Sequence, residues 1–456
     1  MTEGAALASL LAPELGDRGL FGHLREFQSD RLSLLRRVAR ECGDLGWIRL
    51  GPLRALVVND PGLARAILTE RHDEFNRVPA SGMDGVQRLF GQGLVVSDGD
   101  QHRAQRRRVT AALARSKVTA LVPAVMHEVE RAVASWPEGE VIDLFDEVLG
   151  LSLRMLQRVV LGVDLSIASG RVPSLLRRAS EYCLAEVARA LPLPGWIPTP
   201  HNVGFRRLAH ELDQALFELI ARRRAATERG DDLLSALLEP SAGGEVVSDR
   251  ELRDDLMSLF VAGNEALATT LFWSLYHCIV DPALEARMLD SIARVLGDQR
   301  VSAEDLEHLP LSSDVFKEAM RLYPPNHVML RRAARDIELS GVRVKAGSVV
   351  MLNGYAIQRD ARWFRSPEAF LPERFSRGAE KSLASGYWPF GAGPRTCPGN
   401  HFSLLLGPCA LLTLLQRRVF EPLDGAPGIS TGFALSPREP WRVRTTRRGG
   451  WPRVLP

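Results

Sequence analysis

The sequence predicts a mostly α-helical fold with small accessory β-sheets, built as one domain, and three observations predict it. Apolar residues recur at helical spacing through most of residues 101–323. Short runs with strand character stand only near the two ends of the chain. One pattern, residues 249–280, is about 30 residues long and apolar on several faces, so it must run through the core. The length of 456 residues exceeds a usual single core but suits a large enzyme of mixed architecture.

The elements follow in order. Residues 1–20 read as an N-terminal extension. Trp47-Ile48-Arg49-Leu50 and Ala55-Leu56-Val57-Val58 flank Gly51-Pro52 and predict a hairpin. Asp60-Pro61 opens a helix to about Glu70, with Pro61 at a tolerated first-turn position. Residues 77–98 are glycine-rich and irregular, a functional loop. Helical patterns cover 101–116, 118–135, 144–162, 173–190, 203–229 and 249–280, and Ser248-Asp249-Arg250-Glu251 is a capping box for the last. The connector 191–202 carries four prolines with Trp196 and Ile197, which suits either a plain joint or a hinged lid over a pocket. Helices are expected again over 282–296 and 311–323, strands over 337–339, 342–344 and 349–352, and a final helix over 399–418. The six arginines from Arg438 to Arg453 read as a solvated basic end, with a tail from about 446.

Composition narrows the function classes. Hydrophobic residues make up 45% and charged residues 25%, an ordinary globular balance, and a net charge of +3 argues against nucleic acid as a partner. Five cysteines at irregular spacing (42, 183, 278, 397 and 409) make no disulfide framework and point to a reducing, cytoplasmic setting. The first 20 residues lack the pattern of a secretory leader. The longest apolar run, Leu404 to Leu415, is about three turns, short of the roughly 20 residues a membrane span needs.

The most informative residue is Cys397, in Phe390-Gly391-Ala392-Gly393-Pro394-Arg395-Thr396-Cys397-Pro398-Gly399. It lies on a glycine- and proline-punctuated loop just before an apolar helix, where backbone N–H groups and the helix dipole favour thiolate. A buried structural cysteine beside a tight turn is the alternative. Zinc is disfavoured because no second cysteine or histidine pair stands at ligand spacing. A lone thiolate with arginine two residues away suits haem iron, whose propionates are anionic. The run resembles the haem-binding loop Phe-x-x-Gly-x-Arg-x-Cys-x-Gly of the cytochrome P450 family, with Phe390, Gly393, Arg395, Cys397 and Gly399 on the pattern.

The resemblance extends from about residue 45 to 445 and implies haem b held between the long central helix and the cysteine-loop helix. It implies that Cys397 ligates iron, favouring O–O cleavage. It places His102, Arg106, Arg331 and Arg395 around the haem propionates, which would be costly to bury unpaired. Glu318-Ala319-Met320-Arg321 with Pro372-Glu373-Arg374-Phe375 resembles the family's Glu-x-x-Arg pair locked to a later arginine. The implied role is a buried charge triad of Glu318, Arg321 and Arg374 that braces the thiolate loop. His327, Val328 and Met329, with Gly432-Phe433-Ala434, are implied to line the substrate pocket.

The central helix departs from the family. Ala262-Gly263-Asn264-Glu265-Ala266 matches at Ala262, at Gly263 (a side-chain-free spot for oxygen) and at the acid Glu265, but Ala266 stands where the family has its oxygen-activating threonine. Alanine donates no hydrogen bond. Thr269 lies about 300° around the helix from Ala266 and about 4.5 Å along it, poorly placed to substitute. The resemblance implies a monooxygenase acting on a small organic molecule, in secondary metabolism, with dioxygen. Electrons would come from a separate ferredoxin and its NAD(P)H-dependent reductase, docking at Arg107, Arg108, Arg417 and Arg418. Ala266 keeps three readings open: a substrate hydroxyl or water replaces the threonine, the oxidant drives oxidative coupling of aromatic rings, or hydrogen peroxide is the oxidant. A rival from another class is a haem-based sensor. The chain is expected to be a monomer, without a membrane partner.

Overall fold

The structure, a computed structural model, describes residues 12–16, 19–77, 84–162, 174–176, 178–179, 182, 196–226, 230–239, 246–376 and 386–450. The expected helix over 173–190 and the first half of the 191–202 connector lie largely outside these residues.

Caps set most helix starts. After α1 (Leu24–Ser29), Asp30 accepts from Ser33 N–H to open α2 (Arg31–Cys42). Asp60 caps α3 (Pro61–Leu68), with proline in the first turn. α4 (Asp84–Phe90) and α5 (Gly99–Ala112) follow, the latter begun at Asp98. α5 meets α6 (Arg115–Ala134) at a bend of 53°. Asp143 caps α7 (Leu144–Leu161), and Thr199 caps α8 (Pro200–Ala225). α9 (Leu233–Leu237) precedes α10 (Asp249–Val280), whose Ser248–Glu251 capping box forms as the sequence predicts. The remaining helices are α11 (Pro282–Val295), α12 (Pro310–Leu322), α13 (Gly354–Ile357) and α14 (Asn400–Arg417).

The strands are β1 (Leu45–Leu50), β2 (Leu53–Val58), β3 (Phe75–Asn76), β4 (Val141–Asp143), β5 (Met329–Ala333), β6 (Ile337–Leu339), β7 (Val342–Val344), β8 (Val349–Leu352), β9 (Arg418–Pro422) and β10 (Arg442–Arg447). The first sheet has the order β1-β2-β8-β5-β3, parallel only between β2 and β8. The β1–β2 turn is Gly51-Pro52, and Gly51 sits at φ +63°, where glycine is favoured. The second sheet is β4-β10-β9, and β6–β7 is a separate ribbon.

The main apolar core surrounds α10, which packs on α7, α8, α12 and α14. Helix α10 is buried on almost every face. Among the described residues it is long and apolar enough by composition to cross a membrane, a length the apolar runs alone did not suggest, but 78% of its apolar window is covered by the fold.

Several local expectations change. Helix α2 and strands β5 and β10 are absent from the sequence reading. The arginines from 438 to 448 are solvated as expected at Arg438, Arg442, Arg444 and Arg447, but they do not form a free tail: β10 pairs with β9 and β4, Arg442 pairs with Asp424, and Arg448 reaches Glu285 and the Leu415 carbonyl. A strand with arginine at alternate positions mimics a charge run, because only every second side chain faces solvent.

Candidate active site

The thiolate loop is pinned from both ends. The Cys397 N–H donates to the Phe390 carbonyl at 2.8 Å, and Gly391 N–H donates to Trp388 at 2.9 Å. Gly393, at φ +69°, lies against the C-terminus of α3, where a Cβ would stand 1.9 Å from the Leu68 carbonyl oxygen. Behind the loop, α14 approaches α12 so closely at Gly407 that a Cβ there would stand 2.3 Å from the Phe316 ring. The Gly399 N–H points to the Cys397 sulfur, and the charge of Arg106 also favours thiolate. Burial outweighs both and leaves the thiol above its ordinary value. The backbone N–H favours thiolate as the sequence suggests, and a coordinating cation would supply what burial takes away.

The expected triad comes together. Arg321 on α12 donates Nε to Glu318 Oε2 at 2.7 Å and Nη2 to Oε1 at 2.8 Å, and both side chains are fully buried. Arg374 adds a contact of 3.3 Å to the same carboxylate. The remaining Arg321 donors are taken by the carbonyls of Gln358, Pro367 and Ala369. The triad thus ties α12 to the 358–374 segment.

Cations gather beside the thiolate loop. Arg395 reaches the Ser97 carbonyl at 3.2 Å and pairs with Asp98. His102 is buried one turn into α5, and burial together with Arg395, Arg106 and Arg77 pushes its pKa down to about 4, so it is neutral at neutral pH. Arg331 is pushed down to about 10 by burial and by Arg395. Arg77, absent from the sequence reading, sits in the same field. Among the described residues Asp98 is the one acid that bonds within this group.

On the opposite side, α10 is closed to solvent over most of its length, yet Ala262 is exposed and Gly263 and Ala266 are half-buried. Ala262 and Ala266 are one turn apart and share a face. The Cβ position of Gly263 stands 3.3 Å from Cδ2 of Leu156 on α7, so glycine there also permits close helix packing. Glu265 is buried and accepts the Ala434 N–H at 3.4 Å, and burial lifts its pKa to about 7. Trp273 holds the same C-terminal loop through the Leu435 carbonyl at 2.6 Å. The Thr270 hydroxyl is committed to the Ala266 carbonyl at 2.9 Å, and Ser152 of α7 donates to the Asn264 carbonyl at 2.9 Å. Val95, Val96, Leu259, Phe390 and Phe433 border the main core as partly buried apolar groups.

The 327–329 stretch divides. Met329 packs toward the thiolate loop, its sulfur 3.8 Å from the Cβ position of Gly391. Val328 packs on the other face, with Leu34, Leu35 and Phe27. His327 is buried, and burial plus the charge of Arg31 pushes it down to about 3, so it is a neutral ring.

Sequence reasoning also missed a clamp at the start of α10. Arg253 binds Asp213 of α8 through Nε at 2.6 Å and the Leu89 carbonyl at the end of α4 at 2.8 Å. Asp254 and Asp255 accept the N–H groups of Gln92 at 2.8 Å and Leu94 at 3.2 Å. A Cβ on Gly91 or Gly93 would stand 2.2 Å from Asp254 atoms. The only sequence signal was the glycine content of residues 77–98. Of the four arginines expected at a docking surface, Arg418 is buried under the Val133 and Trp136 carbonyls, Arg108 pairs with Asp255, and Arg417 with Glu130. Arg107 is exposed and pairs with no acid among the described residues.

These residues fit haem. Among the described residues no cluster of three or more His, Cys, Asp or Glu could hold a metal, so Cys397 suits an ion whose other ligands come from a macrocycle. The arginine group, with one acid, suits that macrocycle's carboxylates.

A family model described as Cytochrome P450 matches residues 14–440. Pentalenene oxygenase of Streptomyces avermitilis is 31% identical over 421 residues, covering 89% of this chain and 91% of the relative. Cyclooctat-9-en-7-ol 5-monooxygenase of Streptomyces melanosporofaciens is 31% identical over 416 residues, covering 90% and 89%. Cyclooctatin synthase of the same organism is 29% identical, covering 84% of each chain. Among solved structures, the heme domain of cytochrome P450DA superposes with a TM-score of 0.86 at 22% identity, covering 96% of this chain and 97% of that one.

Proposed function

The chain belongs to the cytochrome P450 family, and on that premise we propose that it is a cytoplasmic monooxygenase that inserts oxygen into an apolar cyclic hydrocarbon or alcohol of terpenoid type. Cys397 would hold the iron of haem b, and Arg331, Arg395, His102 and Arg106 would stand around its carboxylates. Bound haem supplies dioxygen activation and oxidation of the substrate. The protein supplies an apolar, water-poor pocket and control of protons. The observation that carries the reading is a half-buried thiol on a loop pinned at Phe390 and Leu68, with arginines beside it.

Ala266 and Glu265 favour oxygenation assisted by a substrate hydroxyl or water. Glu265 is the single titratable group from Leu259 to Thr270, and with a pKa of about 7 it holds or releases a proton at neutral pH. Thr270 is engaged with the helix backbone and leaves that task to Glu265. Two of the similar enzymes carry an alkene or an alkenol in their names, consistent with an apolar pocket bordered by Val95, Val96, Leu259 and Phe433. The electron donor is proposed to be a ferredoxin. Its docking face is better sought at the cleft of about 490 Å³ where exposed Arg115 and His401 meet beside α14 than at Arg108, Arg417 and Arg418. The carbon monoxide spectrum of the reduced protein tests the centre: thiolate ligation gives a strongly red-shifted Soret band, and its retention in Cys397→Ala would refute the assignment. Product mass then separates oxygenation (gain of one oxygen) from coupling (loss of two hydrogens). A haem signal with no turnover on any candidate would favour the sensor.

A further inference from the structure

Beyond Ala266, α10 carries a chain of aromatic contacts that leads away from the site. Trp273 follows Ala266 by seven residues, close to two full turns. It therefore stands on the same face of α10, about 10 Å further along the axis. Its ring stacks on Tyr323, at the end of α12, with centroids 3.8 Å apart and planes 5° from parallel. The Tyr323 hydroxyl lies 3.1 Å from Nε2 of His277, and the His277 ring stacks on Phe370 at 3.8 Å. Trp273 is buried, whereas Tyr323, His277 and Phe370 are half-buried, so the chain runs outward from the core. At its inner end, the Trp273 N–H is held by Leu435, in the loop whose Ala434 N–H bonds Glu265.

Packing asks for less than this. A phenylalanine at 323 would keep the stack on Trp273, but it would leave His277 without the phenol. A phenol set against an imidazole is a proton-transfer pair. Burial pushes Tyr323 up, so the phenol stays protonated at neutral pH. Burial pushes His277 down to about 4, so its ring is neutral there; with the proton on Nδ1, Nε2 accepts the phenol O–H. A phenol that loses an electron becomes a strong acid, and the adjacent base then takes its proton. The stacked indole of Trp273 is itself an oxidisable ring, and it lies between this pair and the face of Ala266.

We propose that Trp273, Tyr323 and His277 form an internal electron donor that discharges the oxidised cofactor when no substrate fills the pocket. The inference rests on the haem reading above. One electron passes from Tyr323 through the Trp273 ring to the cofactor, which is reduced by one electron. The phenolic O–H bond breaks, its proton goes to His277 Nε2, and a neutral tyrosyl radical remains. A small external reductant of the thiol or ascorbate class returns the electron, and His277 returns the proton. The oxidising equivalent ends in half-buried rings instead of damaging the cofactor and the pocket.

The test mixes substrate-free ferric holoprotein with hydrogen peroxide. Electron paramagnetic resonance of the frozen mixture identifies the radical, and loss of Soret absorbance reports haem destruction. Wild type should give a tyrosyl signal that changes shape in protein made with ring-deuterated tyrosine. Tyr323→Phe keeps the stack and should lose that signal, with faster haem destruction. His277→Phe keeps a ring against Phe370 and should lose it too, because the proton has no acceptor. Tyr276→Phe, which alters a ring 5.4 Å from Trp273 by centroids, should match wild type in both readouts. A haem-loaded wild type without a tyrosyl signal, or an unchanged signal in Tyr323→Phe, would overturn the proposal with the haem reading intact. If Tyr323→Phe does not fold, an unchanged signal in His277→Phe overturns it alone. Purified wild type that takes up no haem would instead overturn the underlying reading.

Discussion

Glu318→Ala should destabilise the fold more than Arg374→Ala does. The carboxylate accepts Arg321 Nε at 2.7 Å and Nη2 at 2.8 Å, the Leu371 N–H at 2.8 Å, and Arg374 at 3.3 Å. Neither Glu318 nor Arg321 has any exposed side-chain surface. Removing the acid leaves Arg321 with three carbonyl acceptors but no anion, which costs about 3–5 kcal/mol for an uncompensated buried charge. Arg374→Ala keeps the central pair and gives up one long contact and a bond to the Ser366 carbonyl, worth about 1–2 kcal/mol. At about 2 cal/mol/K per residue, unfolding entropy for this chain is near 1 kcal/mol/K. Glu318→Ala should therefore lower Tm by about 3–5 °C and Arg374→Ala by about 1–2 °C. Scanning calorimetry of the holoproteins, with haem content checked alongside, measures both. An unchanged Tm in Glu318→Ala, or a larger loss in Arg374→Ala, would refute the reasoning.

Three further outcomes follow from other parts of the site. Glu265 has a folded-state pKa of about 7, above its unfolded value, so its ionisation costs stability: nothing below about pH 4, a growing penalty up to about pH 7, and a constant one of about 3 kcal/mol above. Glu265→Gln removes this penalty, so its stability relative to wild type in urea should rise between pH 5 and pH 8; a flat difference contradicts the raised pKa. Arg253→Leu removes the links from α10 to Asp213 of α8 and to the Leu89 carbonyl while Asp254 and Asp255 keep the Gln92 and Leu94 contacts, and should speed release of a bound ligand roughly tenfold in stopped-flow spectra while leaving haem content unchanged; unaltered release would show that this clamp does not control ligand exit. Ala266→Thr places a hydroxyl on the face shared with Ala262, and should change the fraction of NAD(P)H electrons recovered in product, with unchanged coupling showing that the residue does not govern proton delivery.

Much of the site was legible because its chemistry is local. The thiolate loop, the acid of the central helix and the Glu318–Arg321 pair each occupy one short segment whose spacing carries their meaning. The helix over 249–280 and its capping box were legible for the same reason, since a helix is set by residues three and four apart. Helix α2 was passed over, although its apolar stripe Leu32, Leu34, Leu35 and Val38 is plain once Asp30 is seen as its cap. Strand β3 is two residues long, too short for any period to show, and with it Arg77 stayed hidden.

By itself the sequence determined the mostly helical class, the single cysteine on its glycine- and proline-punctuated loop, and the absence of a threonine hydroxyl at Ala266. Only the tertiary structure decided which charges share a space. It set Arg77 opposite Arg331, hid Arg418 and left His327 neutral. The reason is that electrostatic energies depend on distance and burial between segments far apart in the chain, and neither quantity is written in local spacing.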